Sequence, residues 1–317
     1  MSDELSFVPN EINLSNISAL NKRQTLLEER RICELSELAT EAAQASYMLI
    51  SEGEMSVIDV LSLISESFVS EAGECHEGAL DDNFGTLIAY IKTLQITDRV
   101  VFAELFRARL ASLGVKITEE SFLQASGAPS TFVYVKNSFA DEAYDVFSQD
   151  FYEPRVRYAE TIKDAIKLVR DGEVTYCLLP LEESGSRLPS VAELLFQDDL
   201  KIDAVTPVFG FDGTADMKYA VASRGFLIPK TASDDDRYLE IRTSSEESLF
   251  ALLLAADKYG AKLYRINMHF FVQEGIRRPF YSIIFKEEGG DFSDLLTYLT
   301  LFVPSYTAVG IYKNLEM

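Results

Sequence analysis

Residues 160–184, ETIKDAIKLVRDGEVTYCLLPLEES, constrain the fold more than any other stretch of this chain. Ile162, Ala165, Ile166 and Val169 recur at spacings of three and four, which is the apolar face of a helix. Asp171-Gly172 stops that helix, because glycine accepts the left-handed backbone a helix end needs. Val174, Tyr176, Cys177, Leu178 and Leu179 follow as a short apolar run, which predicts a strand covered on both faces. Pro180 is expected to end the strand. Glu182-Glu183-Ser184 then falls at its carboxyl end, where open α/β sheets place their ligand sites.

The α/β pattern extends in both directions. A strand is expected over 131–134, with Lys136-Asn137 turning the chain and Ser138 capping a helix through Ala143, Val146 and Phe147. A second strand falls at 156–158, a third helix at 189–196 and a fourth strand at 200–209. The turn GFDGTA (210–215) precedes a fifth strand at 217–224. The order is βαβαβαββ, one lobe of an α/β domain.

Upstream, residues 14 to about 120 read as helices. Asn16 or Ser18 is the expected cap of a long first helix. Its stripe runs through Leu20, Leu27, Ile32, Leu35, Leu38, Ala39 and Ala42. Ser51-Glu52-Gly53 breaks it. Val57, Leu61, Ile64 and Phe68 mark a second helix, and an acidic loop at 74–82 follows. Leu87, Ile88, Ile91 and Leu94 mark a third. Thr97 or Asp98 is the expected cap of a fourth, which carries Val101, Leu105, Phe106 and Leu110 and stops at Gly114. Such stripes need a bundle or a second copy to cover them. Downstream of a linker at 227–235, the pattern is βαββαβ, the split βαβ order. The predicted domains are therefore 1–125, 130–229 and 236–317, with a linker at 124–130 between the first two.

Composition narrows the function. A net charge of −22 and a pI near 4.5 argue against nucleic acid or an anionic membrane as partner. No apolar run reaches membrane-spanning length. Cys33, Cys75 and Cys177 are odd in number and far apart, so no disulfide framework is implied. The amino terminus lacks a basic-then-apolar leader. A reducing cytoplasm is the expected location. His269 has no metal-ligating neighbour at suitable spacing, and no metal or cofactor is expected.

The 160–184 stretch resembles prephenate dehydratase, in which a helix, a Gly turn and an apolar strand lead into Pro-Ile-Glu-Asn-Ser; here Pro180, Leu181, Glu182, Glu183 and Ser184 stand in those places. The helical part is similar to the chorismate mutase domain that precedes the dehydratase in bifunctional enzymes, on Ile17-Ser18-Ala19-Leu20, Leu26-Leu27-Glu28-Glu29-Arg30-Arg31 and Leu105-Phe106-Arg107. The βαββαβ end resembles an ACT domain, the phenylalanine-sensing module of the same enzymes. The resemblance implies an α plus α/β molecule: a helical chorismate mutase-like domain, a single dehydratase-like lobe and a ferredoxin-like ACT-like domain.

The family's functional motifs are altered. Mutase chemistry implies several cations around a dicarboxylate, and Arg31 (or Arg30, one position out of register) is the match; the other positions fall near Leu14, Ala42, Leu113 and Ile117. The dehydratase's Gly-rich anion turn becomes Lys136, Asn137, Ser138 and Phe139. Its Thr-Arg-Phe motif becomes Met217-Lys218-Tyr219, and a thioether cannot donate a proton. Only a six-residue turn stands where the family inserts its second lobe, too short to hold one. In the ACT-like part, the Gly-Ala-Leu loop becomes Glu246-Glu247-Ser248-Leu249, and Glu-Ser-Arg becomes Met268-His269-Phe270.

The expectation is a catalytically degenerate relative with a regulatory or assembly role linked to phenylalanine biosynthesis. The alternatives are an active chorismate mutase or prephenate dehydratase, regulated through its ACT domain, and a small-molecule sensor of other specificity. The catalytic candidates are Arg31, Glu182 and Ser184, and the ligand-binding candidates are Lys136, Asn137, Ser138 and Lys218. The expected partners are a second copy of the chain and a small carboxylate or amino acid.

Overall fold

The computed structural model describes residues 14–66, 82–122, 131–150, 154–209, 215–225, 237–244, 248–273, 276–289 and 291–313. Cys75, Phe68, both linkers, most of the acidic loop and of the 210–215 turn, and Glu246-Glu247 lie outside them.

The first part is four helices: α1 (Leu14–Ser51), α2 (Val57–Glu66), α3 (Asp82–Lys92) and α4 (Ile96–Ser112). Helix α1 starts ahead of both Asn16 and Ser18, so neither caps it. The residue preceding α4 is Gln95, with no side-chain cap bond. Asp98 instead sits in the first turn, where a carboxylate suits the helix dipole, and pairs with Arg31. Along α1 the stripe is buried from Leu35 onward, through Leu38, Ala39, Ala42 and Ala43. Leu27 and Ile32 are 60 % and 54 % exposed. The reason is length. At 1.5 Å per residue α1 spans about 57 Å against about 25 Å for α4, its main partner.

The second part is β1 (Thr131–Val135), α5 (Ser138–Phe147), β2 (Arg155–Ala159), α6 (Ile162–Arg170), β3 (Tyr176–Glu183), β4 (Ser186–Arg187), α7 (Pro189–Gln197), β5 (Lys201–Phe209) and β6 (Ala215–Ser223). The sheet order is β2-β1-β3-β6-β5, with β4 paired to β3. Strand β1 is parallel to β2 and β3, and β6 is antiparallel to β3 and β5. The run Tyr176–Leu179 is buried and alternates between two cores, one on each face of the sheet. Gly172 has φ +77° and ends α6 as expected.

Two local expectations are corrected. Pro180 does not end β3, which continues to Glu183. The register against β6 shifts between Pro180 and Glu182, and such a bulge accommodates a residue with no N–H to donate. Glu182 and Glu183, expected beyond the strand, belong to it. Ser184 (φ +48°) and Gly185 (φ +76°) form a two-residue hairpin turn that folds β4 back on β3, pairing Glu182 with Arg187. Positive φ at both positions is the type I′ requirement, and Ser-Gly meets it.

The third part is β7 (Arg237–Ser244), α8 (Leu249–Lys258), β8 (Ala261–Gln273), β9 (Ile276–Glu287), α9 (Ser293–Phe302) and β10 (Thr307–Lys313). Its sheet is antiparallel in the order β10-β7-β9-β8, the split βαβ arrangement. Leu239, Ile241, Ile283, Phe285 and Ile311 on one face join α8, α9 and the four amino-terminal helices in one apolar core. Nine of the ten residues of α9 are buried, because sheet and bundle cover opposite sides of it. Tyr238, Ile284, Val309 and Tyr312 on the other face join the α/β lobe. The carboxyl-terminal sheet is therefore the middle layer of the molecule.

The lobe and this sheet meet most closely where β5 runs beside β10. A methyl group built on Gly310 would collide with the backbone carbonyl of Ile202, and neither side is a flexible side chain. Gly310 also follows a register shift in β10. Gly310→Ala is expected to cost about 1–3 kcal/mol by overpacking, measured as a lower urea midpoint. An unchanged midpoint would mean that the two strands separate without cost.

Candidate functional site

The lobe has its reversal of strand order at β1, which neighbours β2 on one side and β3 on the other. Open α/β sheets bind ligands at the carboxyl ends flanking such a point. The structure brings Asn137, Tyr219, Glu182 and Lys218 to this end of the sheet. The Tyr219 hydroxyl lies 3.3 Å from Asn137 Oδ1, and Lys218 pairs with Glu182 in the β3–β6 ladder.

Most of the candidates already have a structural task. Asn137, not Ser138, caps α5: its Oδ1 accepts from the Ala140 amide at 2.9 Å, and its Nδ2 donates to the Val135 carbonyl at 3.1 Å. Ser138 is the first residue of the helix proper and is exposed. Lys136 Nζ stands 5.0 Å from the centre of the Tyr158 ring, a cation–π contact. Ser184 is turn backbone. Met217 is half-buried against the apolar core under α5. Arg31 lies far along the chain on the helical part, where Asp98 raises its pKa by hydrogen bonding.

Glu182 is the most informative of these residues. Simple alternation along β3 would point it to the α5 side, with Tyr176 and Leu178. The register shift after Pro180 turns it to the other side, towards the carboxyl-terminal sheet. There Arg265 Nη1 donates to Oε1 at 2.7 Å, and Lys218 Nζ lies 3.8 Å from Oε2. The residue is 5 % exposed. It serves as an ionic strut between the two sheets.

A second ionic contact was not anticipated from sequence. Arg187, placed by the Ser184-Gly185 hairpin, reaches Glu240 on β7, and both are almost fully buried. Ser282 Oγ donates to Glu240 Oε1 at 2.8 Å and the Tyr312 hydroxyl to Oε2 at 3.0 Å. Burial alone would raise the Glu240 carboxyl; the Arg187 charge and the hydrogen bonds from Arg187, Ser282 and Tyr312 outweigh it, and the net shift is downward. His269 sits nearby on β8, against the Phe280 ring at 5.4 Å. Burial, followed by the Arg187 charge, lowers its pKa. The available sequence signal was alternation in β7, where Tyr238, Glu240 and Arg242 share one face.

Among the described residues there is no cluster of His, Cys, Asp and Glu that could hold a metal. Cys177 is fully buried, and burial pushes its thiol up, away from the reactive thiolate. No helix among the described residues is long and apolar enough to cross a membrane.

No protein-family model matches the sequence, and no curated protein matches it. Solved structures that do match include prephenate dehydratase from Streptococcus mutans, at 17 % identity over 59 % of this chain and 100 % of that one, with a TM-score of 0.46. GqqA, described as a novel type of quorum quenching acylase, matches at 18 % identity over 59 % of this chain and 97 % of its own, TM-score 0.43. Prephenate dehydratase from Arthrobacter aurescens, in complex with L-Phe, matches at 14 % over 58 % and 90 %, TM-score 0.43. Likeness of this degree leaves function to the residues themselves.

Because the folded pKa of Glu240 is depressed, its stabilisation is present above the ordinary carboxyl value of 4.5 and is lost as pH falls through the lower folded value. Glu240→Gln is expected to destabilise the protein by about 3–5 kcal/mol at neutral pH, since it strands the buried Arg187 charge. Arg187→Met combined with Glu240→Leu is expected to cost less than Glu240→Gln alone. Chemical denaturation of the three variants tests this, and equal losses for the double and single changes would refute the coupling.

Proposed function

We propose that this chain is a catalytically inert relative of the chorismate mutase/prephenate dehydratase lineage, with a regulatory or assembly role near aromatic amino acid biosynthesis. The observation that carries the reading is Glu182. The carboxylate at the carboxyl end of β3 is turned towards the carboxyl-terminal sheet, with Oε1 bonded to Arg265 and Oε2 3.8 Å from the Lys218 ammonium. A group so committed is not free to move a proton. Met217, where the resemblance calls for a hydroxyl, supplies none. Arg31, the matching mutase cation, is exposed and paired with Asp98. The three-domain division and the ACT-like identity of the βαββαβ unit belong to this proposal.

Purified protein mixed with chorismate or prephenate is expected to convert neither faster than buffer does. Turnover in the common enzyme range, about 1–1000 per second, would overturn the proposal and favour an active enzyme. L-Phenylalanine is also expected to bind weakly, with no micromolar dissociation constant by calorimetry; that affinity is worth about 8 kcal/mol and needs a formed pocket.

An assembly role would use a second copy of the chain. Leu26, Leu27 and Ile32 on the outer half of α1 are all more than half exposed, and a two-fold helix contact would cover them. Light scattering is expected to give a dimer, and Leu27→Glu is expected to weaken it by about 2–4 kcal/mol. A single-chain mass at micromolar concentration would remove the dimer from the proposal.

A further inference from the structure

Between the end of α7 and the lobe-facing side of the carboxyl-terminal sheet lies a cleft of about 600 Å³. Its lining includes none of Glu182, Lys218 and Asn137. Clefts of roughly 300–1,000 Å³ hold small organic ligands. One wall is aromatic: the Phe196 ring centre is 4.3 Å from that of Phe271 and 4.7 Å from that of Phe280.

The polar side is built on Arg242, which is 4 % exposed. Its Nη2 donates to the Leu200 carbonyl at 3.2 Å, and its guanidinium stands 5.4 Å from the Phe196 ring centre. Its Nε has no hydrogen-bond partner. Glu240, two residues earlier on the same face, is occupied by Arg187, Ser282 and Tyr312. Burial pulls the Arg242 pKa down to about 10, against the opposing charges of Glu240 and Asp199. A buried cation left short of a partner is costly, and an anion within reach of it would relieve that cost. Thr243 and Ser305 add hydroxyls 2.9 Å apart, and Arg278 adds a second cation. No lining residue among those described is acidic.

We propose that this cleft binds a small carboxylate with an aromatic or flat apolar body, its carboxylate on Arg242 and its body against Phe196, Phe271 and Phe280. Charge-assisted bonds to a guanidinium are the strong ones, and desolvation by the aromatic wall strengthens them. A free ammonium on the ligand would meet the Arg242 and Arg278 cations and no acidic residue of the lining, so an α-amino acid is disfavoured. This site goes beyond the function proposed above and does not rest on it; it stands whether or not the chain converts prephenate.

Calorimetry on the full chain tests it with three probes: 3-phenylpropionate, 3-phenylpropylamine and L-phenylalanine. Saturable one-to-one binding of 3-phenylpropionate is expected, with the other two at least tenfold weaker. Arg242→Gln and Phe271→Ala should each weaken 3-phenylpropionate at least tenfold, while Phe250→Ala, at an exposed position of α8, should leave it unchanged. If Arg242→Gln does not fold, Phe271→Ala and the probe series decide the matter. Absence of saturable binding at millimolar 3-phenylpropionate, equal binding of the amine, or full affinity in both folded cleft variants would overturn the proposal.

Discussion

A four-stranded sheet with two faces to cover sets the layout of this molecule. Neither face of the β10-β7-β9-β8 sheet is left to solvent over its central strands, which carry Leu239, Ile241 and Ile283 on one side and Tyr238 and Ile284 on the other. Helices α8 and α9 cover the first side, and the amino-terminal helices close over them in the same core. The α/β lobe covers the second. Removing apolar area from water at both faces is the dominant favourable contribution. The placement of each flanking part follows from it.

The two faces are bonded differently. The helical side is mostly apolar, with polar contacts at its margin: Glu119 accepts from the Phe292 amide at 2.7 Å and pairs with Arg237, and the Tyr259 hydroxyl donates to the Val100 carbonyl at 3.0 Å. The lobe side is charged. Glu240 with Arg187 is enclosed, and Glu182 is buried against Arg265, which is itself a quarter exposed. Buried pairs add little net stability over apolar substitutes, but they penalise misalignment heavily. They fix how the lobe sits on the sheet, as Gly310 does by allowing β5 and β10 to approach. The same interface leaves the Arg242 guanidinium beside an aromatic wall with an unmet bonding capacity.

This use of charge bears on function. The end of the lobe where open α/β sheets place ligand sites carries Glu182, and its carboxylate is bonded to Arg265 of the carboxyl-terminal sheet. Under the function proposed above, that carboxylate acts as a strut between the two sheets.

The sequence by itself determined the helices and the longer strands, and their order. Helical spacing, the Gly172 stop and the apolar run after it required a helix and a doubly covered strand, and βαββαβ spacing required the split sheet. These are local properties, set by backbone sterics and by the period at which apolar side chains recur. Tertiary structure alone decided the rest. A bulge after Pro180 reversed the side on which Glu182 lies, and no composition rule foretells which face a shifted register selects. The Ser184-Gly185 turn carried Arg187 to Glu240, a partner 53 residues away. Arg242 gained its meaning only when Phe196 was packed against it, because the worth of a charge depends on what surrounds it, and the surroundings come from distant parts of the chain.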